Sequence, residues 1–178
     1  MTIICTLRDE AAGRFLLGCN SRSSVGDTVM PADVTKWQRF GAWALALSGN
    51  GIPFELLERR RAKFPADAEN PYEVSAFMRK TFDREDYGKG RGEGRDYGAS
   101  GILVRRSGEA YDLDSHMTLE RVEPGTLWAR GSGMDYALGA AFAMRGRGAD
   151  ARAVMEAALA AAIALDTSCP GTPMVEAF

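Results

Sequence analysis

The stretch TIICTLRDEAAGRFLLGCN, Thr2 to Asn20, carries the decision about the fold. TIICTLR is rich in β-branched residues, RDEAAGR supplies a turn around Gly13, and FLLGCN continues as a second strand, so the whole reads as a hairpin. Both strands are apolar on both faces. Ile3, Cys5 and Leu7 lie opposite Ile4 in the first; Phe15, Leu17 and Cys19 lie opposite Leu16 in the second. Strands of this kind need cover on both sides.

WALALS, Trp43 to Ser48, is a third strand of the same type, stopped by Gly49-Asn50-Gly51. Two helices follow. Pro53 sits in the first turn ahead of FELLERRRAKF, with Phe54, Leu57 and the Arg61 stem on one side. Asn70-Pro71 is an N-cap and N1 pair opening YEVSAFMRKTF, with Tyr72, Phe77 and Met78 as its apolar side. Residues 83–98, DREDYGKGRGEGRDYG, read as a mobile surface loop. Strands return at ASGILVRR, EAYDLDS and near TLWARGSG. A helix then opens at GSGMDYALG. Asp150 caps an alanine-rich helix, apolar nearly all round, which needs burial against its own sheet and against a neighbour. Doubly apolar strands with segregated helix pairs predict an α+β fold. It is a four-layer αββα sandwich, with two antiparallel sheets flanked by helix pairs, forming a single domain over residues 1–178.

Composition narrows the function. The 178 residues are 46% hydrophobic and 26% charged, with a net charge of −2. No positive field favours nucleic acid or an anionic membrane. No apolar run approaches the roughly 20 residues of a membrane span. The start, MTIICTLRDE, lacks the pattern of a signal peptide. Cys5, Cys19 and Cys169 form no CxxC and are expected as reduced thiols in a cytoplasm. The lone histidine, His116, reads as a surface or turn residue. No metal site, histidine-based triad or cofactor is expected.

The candidate chemistry lies in small pieces. Removal of Met1 would expose Thr2 with a hydroxyl and a free α-amine on one residue. An amine with a reference pKa near 8 can accept the hydroxyl proton directly or through one water. The segment GDTVMPADVTKW, Gly26 to Trp37, is broken by Gly26-Asp27 and Pro31 and delivers Lys36 among apolar neighbours. A lysine beside such a nucleophile lowers its pKa by charge, or serves as a base where burial makes it neutral. The Gly49 segment could present backbone N–H groups to an oxyanion. Gly131-Ser132-Gly133 opens a helix, and Asp166 ends another, three residues before Cys169.

In order along the chain, these pieces resemble the proteasome β-type threonine peptidases of the N-terminal nucleophile hydrolase superfamily. The bacterial members, the HslV peptidase and the stand-alone proteasome homologues, are the nearest in pattern. TIICTLR resembles the mature N-terminal strand of HslV, and GDTVM…DVTK its GNTVM…NVKK segment. The resemblance implies the αββα sandwich and Thr2 as nucleophile once Met1 is removed. It implies Lys36 beside the nucleophile, Gly49 as oxyanion donor, and Ser132 and Asp166 holding the threonine amine. Val34, Ala46, Leu47 and Ser23 would line the substrate site. The implied assembly is a homo-oligomer of two stacked rings, about twelve or fourteen subunits, acting on peptides or unfolded proteins with a possible AAA+ unfoldase partner.

Two departures stand out. Asn20 occupies the position where the family has an aspartate paired with the lysine. Asparagine can accept from Lys36 but supplies no charge, so Lys36 is expected to ionise less readily. A weaker or differently tuned catalyst follows, with Asn20→Asp expected to raise the rate. Cys169 stands where many relatives have serine, a better donor. Two other functions remain open: a catalytically degenerate ring scaffold, and an amidohydrolase of the same superfamily acting on small amides.

Overall fold

The computed structural model describes residues 2–25, 28–90 and 92–178. Met1, and the Gly26-Asp27 pair read as a chain break, lie outside the described residues.

The opening hairpin forms as its composition requires. Strands β1 (Ile3–Asp9) and β2 (Arg14–Asn20) pair antiparallel. Ile3, Cys5, Leu7 and Leu16 face one side, and Ile4, Phe15, Leu17 and Cys19 face the other. After a short ribbon of β3 (Ser24–Val25) and β4 (Thr28–Val29), β5 (Trp37–Phe40) turns into β6 (Trp43–Gly49). Helices α1 (Ile52–Arg59) and α2 (Pro71–Arg84) follow. Next come β7 (Ala99–Arg105), β8 (Glu109–Leu113), β9 (Leu119–Arg121) and β10 (Trp128–Gly131). Helices α3 (Met134–Arg145) and α4 (Ala151–Leu165) precede β11 (Pro173–Ala177).

One sheet runs β10-β1-β2-β11 and the other β5-β6-β7-β8-β9, antiparallel throughout. The core divides into three slabs. Ile4, Leu17, Ala44, Ala46, Ile102 and Val104 fill the space between the sheets. The first sheet's outer face packs on α3 and α4 through Ile3, Leu16, Ala137, Met155 and Leu159. Leu45, Leu103, Val74, Met78 and Phe82 join the second sheet to α1 and α2. This is the four-layer αββα sandwich. Gly18 makes the α4 contact possible: a Cβ there would meet Leu159 Cδ1 and Met155 Sδ at 2.8 Å.

Several expectations are corrected. α1 ends at Arg59, with a separate 3-10 turn over Arg61–Lys63, and Arg61 is an exposed cation over the Phe40 ring. The inner side of α1 is Pro53, Leu56 and Leu57. α2 buries Val74, Met78 and Phe82, an i, i+4, i+8 stripe, and leaves Tyr72 63% exposed. Asn70 does cap α2, accepting from the Tyr72 N–H. Residues 83–90 and 92–98 fold back on each other. Lys89 and Asp96 exchange two backbone hydrogen bonds, Arg95 reaches Asp83 and Asp86, and buried Tyr97 donates to Asp83 at 2.9 Å. Phe82 anchors this region, with ring centroids 5.9 Å from Tyr87 and 5.2 Å from Tyr97. Phe82→Ala is expected to cost about 3–5 kcal/mol, read as a fall in the urea unfolding midpoint.

The two sheets are also tied along both flanks. On one, Trp128 Nε1 and Arg130 donate to buried Asp112. On the other, Trp37 Nε1 and Arg39 donate to Glu176. No helix among the described residues is long and apolar enough to cross a membrane.

Candidate functional site

The site is built around the side chain of Asn20, at the end of β2 and fully buried. Its Oδ1 accepts from the Ile3 backbone N–H at 3.0 Å and from Lys36 Nζ at 2.6 Å. Its Nδ2 donates to the carbonyls of Arg22 at 2.7 Å and Pro170 at 2.8 Å. All four capacities of the amide are used, and only one orientation satisfies them. One oxygen therefore joins the lysine amine to the peptide that follows Thr2.

Lys36 reaches this point because the segment before it folds back over the end of β2. The Met30 N–H donates to the Ser23 carbonyl, and the Val34 N–H to the Ser21 carbonyl. Ser21 is tied in turn to Thr172 through backbone and side chain. Lys36 Nζ donates also to the Arg22 carbonyl at 2.8 Å. Among the described residues its amine is thus held by two neutral oxygens and no carboxylate. Burial lowers its pKa from 10.5 to about 8, against a small opposing influence from Cys19 and Cys169. The folded chain releases this proton near pH 8 and the unfolded chain near 10.5. Burying the ammonium thus weighs on stability below pH 8, and the burden lifts as pH rises through that window.

Thr2 is buried, 7% exposed, at the head of β1. On its other flank Ile3 pairs with Gly131, whose φ is 110°. A Cβ at Gly131 would overlap the Thr2 carbonyl. Ser132 follows, with its Oγ 3.6 Å from Cys169 Sγ. Cys169 Sγ donates to Asp166 Oδ2 at 3.2 Å, and the Ser168 N–H to Oδ1 at 2.8 Å. Burial raises the Asp166 carboxyl, but hydrogen bonds from Ser132, Ser168 and Cys169 prevail and hold it below its ordinary value. Burial, with Asp166 adding, pushes the Cys169 thiol up to about 11, against the lowering hydrogen bond with Ser132, so it remains a protonated donor.

The structure thus brings Thr2, Asn20, Lys36, Ser132, Asp166 and Cys169 to one end of the sandwich. Gly49 lies at the same end. The Leu47 N–H donates to the Lys36 carbonyl, and Gly49 closes β6 two residues, roughly 7 Å, further on. Its φ of 116° suits glycine, and a Cβ there would meet the Gly98 carbonyl at 2.6 Å. Beyond it, Asn50, Tyr87, Lys89 and Gly98 line a surface hollow of about 300 Å³.

Successive residues of β6 face opposite ways. Ala46 is buried between the sheets, and Leu47 is buried toward the helices, so they do not share one wall. Val34 is 41% exposed and Ser23 half-buried. The carbonyls of Arg22 and Pro170 are site atoms that sequence reading missed. His116 lies in a turn, its Nδ1 3.0 Å from the Arg95 carbonyl. Among the described residues, no cluster of three or more His, Cys, Asp or Glu side chains could hold a metal ion.

No family model and no curated protein matches the sequence. Solved structures do. The chain is similar to Thiobacillus denitrificans BPH, with TM-score 0.80 and 19% identity over 99% of this chain and 97% of that one. The same protein in complex with epoxomicin superposes with TM-score 0.76, at 19% identity and the same coverage. Eukaryotic HslV from Trypanosoma brucei gives TM-score 0.75 at 19% identity, over 98% of each chain. The chain therefore has the proteasome and HslV-like fold of these proteins.

Proposed function

We propose that the chain, as one domain, is a cytoplasmic threonine-type endopeptidase subunit that assembles into stacked rings. The observation that carries this reading is the single Asn20 oxygen shared by the buried Lys36 amine and the Ile3 N–H, next to Thr2. A lysine buried against two neutral acceptors at the head of a strand has little structural purpose, since an apolar residue would avoid the desolvation cost.

In this reading Met1 is removed and Thr2 Oγ attacks the carbonyl carbon of a peptide bond. The hydroxyl proton passes to the α-amine, with Lys36 beside it, directly or through a water. The N–H of Gly49 stabilises the oxyanion. As the C–N bond breaks, the leaving amine takes the proton and an ester to Thr2 remains. Water, deprotonated by the same amine, attacks the ester and restores the hydroxyl. Ser132 and Asp166 hold the amine, with Cys169 bridging them. Val34, exposed two residues before Lys36, would meet the substrate side chain, with Ser23 at the same rim. Thiobacillus denitrificans BPH has been solved with epoxomicin bound, and HslV is the basis for expecting rings and an unfoldase partner here.

The test combines intact mass with covalent labelling. Protein lacking Met1 is expected to gain the mass of a peptide epoxyketone at Thr2. Lys36→Ala should slow labelling by about 10²-fold. Processed protein that folds but takes no label would instead be a scaffold of the same fold.

A further inference from the structure

Asn20 has the appearance of a damaged aspartate when compared with a lysine–carboxylate pair. The hydrogen bonds around it contradict that view. Aspartate could still accept from Lys36 and from the Ile3 N–H. It could not donate, and its second oxygen would face the Arg22 and Pro170 carbonyls where Nδ2 now sits at 2.7 and 2.8 Å. Three oxygens would then crowd a fully buried point. The same Arg22 carbonyl also accepts from Lys36, so its displacement would loosen the lysine as well.

We propose that Asn20 is a positioning residue for which this chain requires an amide: it locks the Lys36 cradle to the segment after Cys169, and aspartate would open that cradle instead of strengthening it. The part of this that concerns hydrolysis rests on the peptidase reading above. The cradle itself does not.

The surroundings of Lys36 agree with an amide. Cys19 of β2 and Cys169 after α4 face it, both thiols raised first of all by burial and so uncharged at neutral pH. The nearby Arg22–Asp33 ion pair, 3.6 Å long, is largely exposed. Among the described residues the groups that hydrogen-bond the Lys36 amine are neutral, and it passes between ammonium and amine near pH 8. A carboxylate at position 20 would hold it charged.

The experiment follows Lys36 by side-chain NMR of lysine-labelled protein, assigned by its loss in Lys36→Met. In the wild type its midpoint is expected near pH 8. In Asn20→Asp the midpoint should rise by about one to three pH units. The urea midpoint should fall, and amide exchange at residues 171–172 should speed up at least tenfold. Asn20→Ser, which keeps a neutral acceptor and one donor, should leave the Lys36 midpoint low and serves where Asn20→Asp does not fold. A wild-type Lys36 midpoint near 10.5, an Asn20→Ser midpoint raised to that value, or an Asn20→Asp protein as stable as wild type overturns the proposal. Hydrolysis at pH 7.5 should fall at least tenfold in Asn20→Asp. A gain there also overturns it. Titration and exchange need no turnover. A wild type that titrates and exchanges as expected but takes no epoxyketone label therefore refutes the peptidase reading alone.

Discussion

Thr2→Ala should reduce peptide hydrolysis by the processed protein by about 10³-fold or more, to the level of blank reactions. The reason is chemical, since alanine keeps the α-amine but has no oxygen to form the acyl ester. Packing gives no competing explanation. Strand pairing starts at Ile3, and the Asn20 contact is made by the Ile3 N–H, so the variant keeps both. Its urea midpoint is expected to stay within about 1 kcal/mol of wild type. Thr2→Ser restores a hydroxyl without the β-methyl that restricts χ1, and should recover measurable hydrolysis. Thr2→Ala protein that still turns over peptide, with contamination excluded by mass spectrometry, sinks the assignment of the nucleophile. Chains that retain Met1 should behave like Thr2→Ala, because their Thr2 nitrogen is an amide and not a base.

The second large effect is on stability. Gly131 lies directly beside Thr2 with φ 110°, and a Cβ there would overlap the Thr2 carbonyl. Both neighbours are backbone, so no rotamer change relieves the clash. Gly131→Ala should cost about 2–4 kcal/mol from strain and overlap together. It should also push Thr2 away from Lys36, so that epoxyketone labelling falls further than the folded fraction measured by circular dichroism. Gly139, exposed in α3 with open space at its Cβ position, supplies the control: Gly139→Ala should be neutral or stabilising by up to about 1 kcal/mol.

The layers of the fold were legible because the pattern was extreme. β1, β2 and β6 are apolar on both faces, and only a sheet covered on both sides accommodates them. β11 escaped because PMVEA begins with proline and is half-exposed along its length, which leaves neither alternation nor a continuous apolar run. β5 is four residues long and carries Gln38 and Arg39 at its centre. The inner face of α2 was misjudged because aromatic Tyr72 and Phe77 drew attention from Val74 and Phe82, one helical phase away. Site residues were legible as types at recognisable spacings. The atoms that decide how Lys36 ionises were not. The carbonyls of Arg22 and Pro170 are main-chain groups, and no side-chain identity announces where a backbone oxygen will point. For the same reason the asparagine read as a loss until its donors had partners.

The Asn20–Pro170 hydrogen bond spans 150 positions of the chain. A contact between residues so far apart in sequence carries a loop-closure cost that local contacts do not. A partly folded chain therefore has a threonine and a lysine but no fixed relation between them. Under the proposed peptidase function this acts as an internal timing device: a copy without that long-range closure has no competent site with which to attack its neighbours.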